Sequence, residues 1–288
     1  MKSMLFVPGD SDKKLSKGLE SGADALILDL EDSVAPDRKQ DARQITRAFL
    51  ARERGGPKLF VRINPLVSAY AVDDLAAVTG GAPDGIVLPK CASVSDIIAV
   101  NHYLSALEAR EGLPPSVILI LPIVTETAGA MFTLGSYAEA GARLCGMMWG
   151  CEDLAADVGA SVNRSEDQQY LAPFELARSL CLFAAAAAGV PAIDTVFTDF
   201  KDMEGLEREA RTAERMGFTA KAAIHPGQID IINRAFTPND TAIAWARKVV
   251  AAFKASPQVG VVGIDGKMLD RPHLRTAERV LARAGLPQ

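Results

Sequence analysis

The sequence has few of the side chains that build disulfide frameworks or transition-metal sites. Its 288 residues include four cysteines and three histidines. The cysteines (Cys91, Cys145, Cys151 and Cys181) show neither CxxC spacing nor the pattern of a small secreted domain, which predicts free thiols in a reducing compartment. With so few histidines we expect no histidine-rich metal site, and neither a Ser/His/Asp nor a Cys/His arrangement stands out.

Long apolar runs and an excess of positive charge are also lacking. No segment reaches the roughly eighteen continuous apolar residues of a membrane-spanning helix. The first residues, "MKSMLFVPGDSDKK", have too short an apolar stretch for a signal peptide and lack a small-residue cleavage site. The net charge is −5 without a basic tract, which argues against nucleic acid and anionic membranes as partners. These absences predict a cytoplasmic globular protein.

What the sequence does have is a regular alternation of apolar runs and helical stretches. The runs are "SMLFVPG", "ADALILDLED", "KLFVRIN", "DGIVLPK", "SVILILPIVT", "LCGMMWG", "AIDTVFTD" and "AKAAIHP". Several of the stretches between them begin at Ser or Asp and end at Gly, as helices do. Because parallel neighbours need crossover connections, this order predicts parallel strands that are buried on both faces.

Eight such units match an α/β protein of the TIM (β/α)8 barrel type. The competing architecture is a doubly wound open sheet, which usually has fewer strands and often a glycine-rich phosphate turn after the first one. Here that turn is "PGDSDKK", without GxGxxG. We therefore predict a barrel at residues 1–237 and a C-terminal helix and extended arm at residues 238–288. The arm is too small to fold alone, so we expect it to pack on the barrel or on a neighbouring subunit.

Polar residues follow most of the predicted strands, at the end of the barrel where active sites of this fold lie. In chain order they are Asp29, Glu31 and Asp32, then Arg62 and Asn64, Lys90, Glu126, Glu152 and Asp153, and finally Lys221, His225 and Gln228. A single charged strand end is usually a helix cap or an ion pair. Acids and bases that alternate around one rim indicate a site.

Glu126 and Asp153 are candidate ligands of a hard divalent cation. Mg²⁺ is usually held by one or two carboxylates, with water and substrate oxygens completing the octahedron. The alternative role, a helix N-cap, is compatible, because a cap at a strand–helix junction also points into the barrel mouth. Arg62 offers a planar fork to a carboxylate or enolate oxygen. Its alternative is an ion pair with the acids around Asp29, and both roles hold if those acids orient the arginine.

Several motifs in this order resemble those of a known family. They are "SMLFVPGD", "GADALILDLEDSV", "VRINPL", "DGIVLPK", "ETAGA", "GCEDLAADVG", "KAAIHPGQI" and "GIDGKMLDRPH". Together they are similar to the citrate lyase β-subunit-like proteins, the acyl-CoA lyase branch of the HpcH/HpaI aldolase superfamily. The resemblance covers nearly the whole chain and implies a TIM barrel, usually trimeric, that binds Mg²⁺ and cleaves or forms a carbon–carbon bond beside a thioester.

The resemblance also implies roles for particular residues. It implies that the metal is held by Glu126 and Asp153. The implied substrate contacts are Arg62, Glu126, Lys2 and Lys90, and the implied catalytic residues are Arg62, Asp32 and Asp270. The metal-bound water and Arg62 would be surrounded by Asp29, Glu31 and Asp32. Asp270 resembles an acid/base aspartate that family members insert into a neighbour's active site, and Asp265 is the second choice. One departure is visible: Lys2 stands where the family usually has arginine, and lysine cannot reproduce a bidentate anion contact.

The implied partners are an acyl-CoA or acyl-carrier thioester and a 2-oxo acid such as glyoxylate, pyruvate or oxaloacetate. The implied reaction is a retro-Claisen cleavage of a malyl- or citramalyl-type or 3-hydroxy-3-carboxyacyl-type thioester, or its reverse, with thioester hydrolysis as a variant. Two alternatives stay open at this point. One is a 2-keto-acid aldolase that does not use CoA, and the other is a non-catalytic or carrier-dependent subunit. The sequence does not fix the acyl group or the direction of the reaction.

Overall fold

The computed structural model describes residues 1–52 and 55–287. Its first eight strands are β1 (Ser3–Pro8), β2 (Ala25–Asp29), β3 (Lys58–Arg62), β4 (Gly85–Leu88), β5 (Leu119–Pro122), β6 (Met147–Met148), β7 (Ala192–Asp194) and β8 (Ala220–Ala223). The helices among and after them are α1 (Asp12–Leu19), α2 (Lys39–Leu50), α3 (Ala71–Val78), α4 (Val94–Glu111), α5 (Glu152–Asp157), α6 (Ala172–Ala187), α7 (Met203–Met216) and α8 (Ile229–Ala235). No described helix is long and apolar enough to cross a membrane.

The eight strands form one parallel sheet that nearly closes into a barrel. Their order is β5-β4-β3-β2-β1-β8-β7-β6. Two isolated parallel bridges, Ile120 with Leu144 and Ile123 with Met148, join the outer edges of the sheet. This confirms the predicted TIM barrel, and each strand lies within one of the apolar runs of the sequence.

Alternate side chains of each strand fill the barrel, which decides which polar residues reach its mouth. The interior cluster includes Ala25 and Ile27 of β2 and Phe60 of β3. Since side chains alternate along a strand, Asp29 and Arg62 continue these inward-facing rows at the carboxyl ends of β2 and β3. The two residues are also register partners in the sheet. The periodicity of the strands therefore delivers an acid and a base to the same point.

Lys221 has the opposite orientation, because its neighbours Ala220 and Ala222 face the interior. It is fully buried, and its ammonium lies 2.7 Å from carboxylate oxygens of both Asp194 and Glu209. Arg178 adds a further ion pair to Asp194 at 3.1 Å. Lys221 thus belongs to a buried charge network on the helix side of the barrel, and the structure does not bring it to the rim where the sequence suggested it.

The residues Arg234–Gln288 form a second compact unit, separate from the unit Met1–Asn233. It contains α9 (Asp240–Ala255), the antiparallel strands β9 (Val261–Ile264) and β10 (Lys267–Asp270), and α10 (Arg271–Arg283). Its own apolar cluster joins α9, the hairpin and one face of α10, with Ala277 and Leu281. The boundary at 237/238 stays a prediction.

Candidate active site

The centre of the barrel mouth is a buried pair of Arg62 and Asp29. Nε and Nη2 of Arg62 donate to the two carboxylate oxygens of Asp29, each over 2.7 Å. The main-chain N–H groups of Glu31 and Ser33 also donate to the Asp29 carboxylate. Burial raises the pKa of Asp29, but the Arg62 guanidinium and these hydrogen bonds together hold it below its usual value. Asp29 is therefore a fixed negative group that orients Arg62.

Arg62 has one further nitrogen that is not used by Asp29. Nη1 lies 2.8 Å from Oε2 of Glu31 and 3.8 Å from Oδ2 of Asp32. Burial lowers the pKa of Arg62, but the surrounding carboxylates raise it above its ordinary value. The guanidinium also lies over the ring of Phe6, 4.8 Å from its centroid. It is thus a permanent cation whose plane is fixed by Asp29 and whose Nη1 contacts Glu31 at the cleft.

Lys90 places a second cation among the acids. Its Nζ is 2.6 Å from Oε1 of Glu31, 3.1 Å from Oδ1 of Asp153 and 3.8 Å from Oδ2 of Asp32. Burial lowers the pKa of Lys90, but its hydrogen bond to Glu31 and the neighbouring acids raise it above its ordinary value. The Asp32 side chain is 61% exposed, so it is the acid of the cluster that water or substrate reaches most easily.

Glu126 lies deepest among the candidate ligands of a metal. It is 4% exposed, and its Oε2 accepts a hydrogen bond from the main-chain N–H of Lys90. Burial, with repulsion from Glu31 and Asp153, raises the pKa of Glu126 to about 8. A side chain at Gly150 would place its Cβ 2.6 Å from Cγ of Glu126. Glycine at this position therefore leaves the room that Glu126 occupies.

These groups line a cleft of about 370 Å³ at the carboxyl ends of the strands. Asp29, Asp32, Arg62, Glu126, Glu152 and Asp153 form its charged wall, and Phe6, Ile123, Met148, Trp149, Val196 and Ile224 contribute apolar surface. A small anion with a short apolar part fits such a lining.

The fit of a divalent cation can be judged from the charges that this wall leaves uncompensated. Among the described residues, no group of three or more His, Cys, Asp or Glu side chains is arranged to hold a metal alone. Two carboxylates are enough for Mg²⁺ when water and substrate supply the other oxygens. Glu126 is buried without a side-chain donor in the described ranges, whereas Glu31 is paired with both Arg62 and Lys90. The buried Glu126 carboxyl group, which lacks an ion-pair partner in the described ranges, fits a hard cation held by Glu126 and Asp153.

Lys2 is not part of this group, and Asp270 and Asp265 belong to the second unit. Lys2 precedes β1, at the opposite end of the barrel from the strand ends that carry Arg62 and Glu126, and its main chain bonds to Asp24 and Lys221. The contact of Lys2 with substrate stays a prediction. Asp270 lies in the second unit, exposed at the start of α10, and Asp265 pairs with Lys248.

Two contacts, one in each unit, were not found from the sequence. His273 lies beside Asp270, with Nδ1 2.5 Å from Oδ1 of the aspartate, and this contact lowers the pKa of Asp270. The signal was the D-x-x-H spacing at a helix start, which places the two side chains on one face. Trp149 was also missed: its indole N–H donates to buried Asp194 over 2.7 Å, which fixes the chain just before Glu152 and Asp153.

Comparison with known proteins identifies relatives along nearly the whole chain. Residues 2–226 match the family model described as HpcH/HpaI aldolase/citrate lyase, and residues 170–286 match one described as a C–C bond lyase of the TIM-barrel fold. A (3S)-malyl-CoA thioesterase of Cereibacter sphaeroides is 35% identical over 286 residues, which is 98% of this chain and 94% of the relative. A citrate lyase subunit β-like protein of Mycobacterium tuberculosis is 38% identical over 282 residues, again 98% of this chain and 94% of the relative.

A solved structure gives the same result at the level of the fold. The protein CitE of Mycobacterium tuberculosis, crystallised with magnesium, acetoacetate and coenzyme A, superposes with a TM-score of 0.82 at 36% identity. The match covers 99% of this chain and 98% of that one.

Proposed function

The chain belongs to the HpcH/HpaI aldolase/citrate lyase family, and from this premise we propose that it is a Mg²⁺-dependent carbon–carbon lyase of CoA thioesters. The reaction is the cleavage of a malyl- or citramalyl-type thioester, or of a 3-hydroxy-3-carboxyacyl thioester, to acetyl-CoA and a 2-oxo acid, or the reverse condensation. The observation that carries the proposal is the barrel mouth itself. It combines a fixed guanidinium with a deep carboxyl group, Glu126, that has no ion-pair partner among the described residues, beside the partly exposed Asp153.

The proposed metal ligands are Glu126 and Asp153. When bound there, Mg²⁺ supplies Lewis-acid polarisation of substrate oxygens and a template that orients them. The relative crystallised with magnesium, acetoacetate and coenzyme A supports this choice of cofactor.

Arg62 is the proposed binding group for the substrate carboxylate. Asp29 occupies one edge of the guanidinium through two hydrogen bonds and so fixes the plane of the fork. The remaining nitrogen, Nη1, contacts Glu31 and lies beside Asp32, and a substrate carboxylate would share it with Glu31. A rigid guanidinium binds a carboxylate more directionally than an ammonium does, and it loses little entropy on binding. The apolar part of the cleft then faces the acyl chain.

Asp32 is the proposed base for the substrate hydroxyl in the cleavage direction. Asp29 is bound to Arg62 and Glu31 to Lys90, whereas Asp32 is exposed and lies 3.8 Å from both cations. The hydroxyl proton passes to Asp32, the C–O bond becomes a carbonyl, and the C–C bond breaks with its electron pair moving into the thioester as an enolate. Protonation of that enolate carbon gives acetyl-CoA.

Asp270 is the proposed donor of that last proton, supplied by a neighbouring subunit of a trimer. In the reverse direction the same carboxylate removes a proton from acetyl-CoA. The low pKa that His273 gives to Asp270 suits the base role, since the carboxylate is then present at neutral pH. The partners of the chain are thus a CoA thioester, a 2-oxo acid and other copies of itself.

Thioester hydrolysis is a second candidate, favoured by the relative named as a (3S)-malyl-CoA thioesterase. In that case water enters the same cleft and releases free CoA.

Incubation of the purified chain with malyl-, citramalyl- and citryl-CoA, with Mg²⁺ or with EDTA, distinguishes the outcomes. Acetyl-CoA together with a 2-oxo acid supports the lyase, whereas free CoA together with the hydroxy acid supports hydrolysis. A chain that turns over none of them but acts on a carrier-bound thioester is a carrier-dependent subunit, and release of pyruvate from CoA-free hydroxy-keto acids alone indicates an aldolase.

A further inference from the structure

We infer that the ammonium of Lys90 is a resident counter-cation of the metal site, which competes with the divalent cation and lowers the affinity of the free protein for it. The inference rests on the proposed roles of Glu126 and Asp153 as metal ligands. It concerns a positioning residue, since Lys90 acts through the acids around it.

The first observation is that Lys90 contacts both proposed ligands, and by different atoms. Its main-chain N–H donates to Oε2 of Glu126, and its Nζ lies 3.1 Å from Oδ1 of Asp153. The same Nζ is 2.6 Å from Oε1 of Glu31. One residue therefore bridges three carboxylates that come from the ends of three different strands.

The second observation is the backbone of Lys90, which has a φ of 49°. This left-handed conformation is unfavourable for a residue with a side chain and is found mainly at functional sites, where the surrounding contacts fix it. Here it follows β4 directly and presents both the N–H and the side chain to the acids of the mouth. The contacts with the acids are what hold the strained conformation.

The charges around Lys90 explain the competition. Asp29 is paired with Arg62, and Glu31 with both Arg62 and Lys90. The Lys90 ammonium also contacts Asp153, and its main-chain N–H donates to Glu126. A divalent cation held by Glu126 and Asp153 repels an ammonium that touches Asp153, because like charges interact strongly in a partly buried site. Without the metal, the same ammonium relieves the repulsion among the acids. Lys90 therefore stabilises the metal-free protein at the expense of metal affinity.

The consequence is a site that takes up the metal most readily together with an anionic substrate. A substrate carboxylate adds negative charge to the mouth and so offsets the repulsion from the ammonium. Differential affinity of this kind couples the two binding events reciprocally. Lys90 thus affects the order in which the metal and the substrate bind.

The test compares the metal affinity and the stability of Lys90→Met, Lys90→Gln and Lys90→Arg with those of the unaltered chain. Mn²⁺ is titrated into the substrate-free protein by calorimetry, and the melting temperature is measured in EDTA. We expect Lys90→Met and Lys90→Gln to bind Mn²⁺ at least tenfold more tightly, while their metal-free melting temperature falls. Lys90→Arg keeps the charge and should stay within about threefold of the original affinity.

Tighter Mn²⁺ binding together with a lower metal-free melting temperature is the expected combination, because a merely structural role of Lys90 would weaken both Mn²⁺ binding and stability. Lys39→Met is the matched control. This buried lysine donates to the carbonyls of Leu30 and Glu31 and to Asn64, so its loss should lower the melting temperature without tightening Mn²⁺ binding. Weaker or unchanged Mn²⁺ binding in both neutral Lys90 variants overturns the inference.

Failure of the inference is distinguishable from failure of the proposed function. If the unaltered chain binds Mn²⁺ and Glu126→Gln abolishes that binding, the metal site stands whatever the Lys90 variants do. If Glu126→Gln binds Mn²⁺ as the unaltered chain does, the proposed ligands are wrong and the inference about Lys90 falls with them.

Discussion

Arg62 donates two hydrogen bonds of 2.7 Å to the carboxylate of Asp29, its register partner on the adjacent strand. The sheet thus fixes the two residues at the level of the main chain as well as through their side chains. A guanidinium held in this way keeps one orientation before substrate arrives, which is the condition for directional binding of a carboxylate.

Replacement of Arg62 by lysine should lower kcat/KM about 100-fold. Lysine keeps the charge but loses both the two-point contact with Asp29 and the further nitrogen, Nη1, that the guanidinium presents at the cleft. The free energy of unfolding should fall by about 1–3 kcal/mol, because a buried carboxylate loses a partner. Steady-state kinetics and urea unfolding measure the two effects.

The matched control for Arg62 is Arg143→Lys. Arg143 forms an equally buried two-point pair with Glu108, with both contacts at 2.6 Å, on the helix side of the barrel. It should lose similar stability and keep its activity. An equal loss of activity in both variants would show that Arg62 matters only for folding.

Replacement of Gly150 by alanine should weaken Mg²⁺ binding by about tenfold or more. The added Cβ would lie 2.6 Å from Cγ of Glu126, so the carboxylate has to move. The control is Gly146→Ala, whose Cβ meets aliphatic side chains of Ile193 and Leu121 at 2.8 and 3.0 Å. That variant should lose about 1–3 kcal/mol of stability from overpacking with the metal affinity unchanged. Calorimetric titration with Mg²⁺ separates the two, and unchanged affinity in Gly150→Ala would argue against Glu126 as a ligand.

The metal-free protein should become less stable relative to Glu126→Gln as the pH rises from about 4.5 to about 8. In this window the unfolded chain has released the proton of Glu126, while the folded chain retains it. A raised pKa in the folded state therefore contributes stability at low pH that is lost as the pH rises, by at most roughly 1.4 kcal/mol per pH unit. Urea unfolding in EDTA at several pH values measures the difference between the two proteins. Mg²⁺ at pH 8 should restore stability to the original chain and leave Glu126→Gln unaffected, and parallel pH curves for the two proteins would refute the assignment.

Asp270→Asn should abolish most of the activity without changing Mg²⁺ affinity. If Asp270 acts in a neighbouring subunit, mixed oligomers of Asp270→Asn and Glu126→Gln contain some sites with both residues intact. For random assembly of a symmetric ring in equal amounts, about a quarter of the sites are complete. Activity that appears only after the two inactive variants are unfolded and refolded together supports the shared site. A mixture that stays inactive, although native gels show mixed oligomers, contradicts it.

The fold was predictable because the periodicity of the strands is a local property of the sequence. Ala25, Ile27 and Asp29 lie two residues apart, and so an inward-facing Asp29 follows from alternation alone. The same rule, applied to Lys221 between two inward-facing alanines, would have placed it outside the barrel. Position near the end of β8 suggests that Lys221 lies at the barrel mouth, whereas the alternation of side chains along the strand places it on the outer face.

The details of the mouth could not be predicted in the same way. The left-handed backbone of Lys90 and the contact between its ammonium and Asp153 depend on how the ends of β4 and β6 approach each other in three dimensions. No spacing in the sequence records that distance. For Asp29, Glu31 and Asp32 the sequence indicated a shared environment, and the structure divides it: Asp29 binds Arg62, Glu31 binds both cations and Asp32 remains exposed.

Metal-dependent cleavage of a carbon–carbon bond in a CoA thioester yields acetyl-CoA and a 2-oxo acid in equal amounts, and the ratio of these two products is the decisive measurement. The purified chain is incubated with malyl-CoA, citramalyl-CoA or citryl-CoA in Mg²⁺, and acetyl-CoA and the 2-oxo acid are quantified together by mass spectrometry. We expect equal amounts of the two products from at least one substrate and no product in EDTA. The rate of product formation should fall at least 100-fold in Glu126→Gln. Equal product formation by the original chain and Glu126→Gln, or the absence of acetyl-CoA from all three substrates in Mg²⁺, would contradict it.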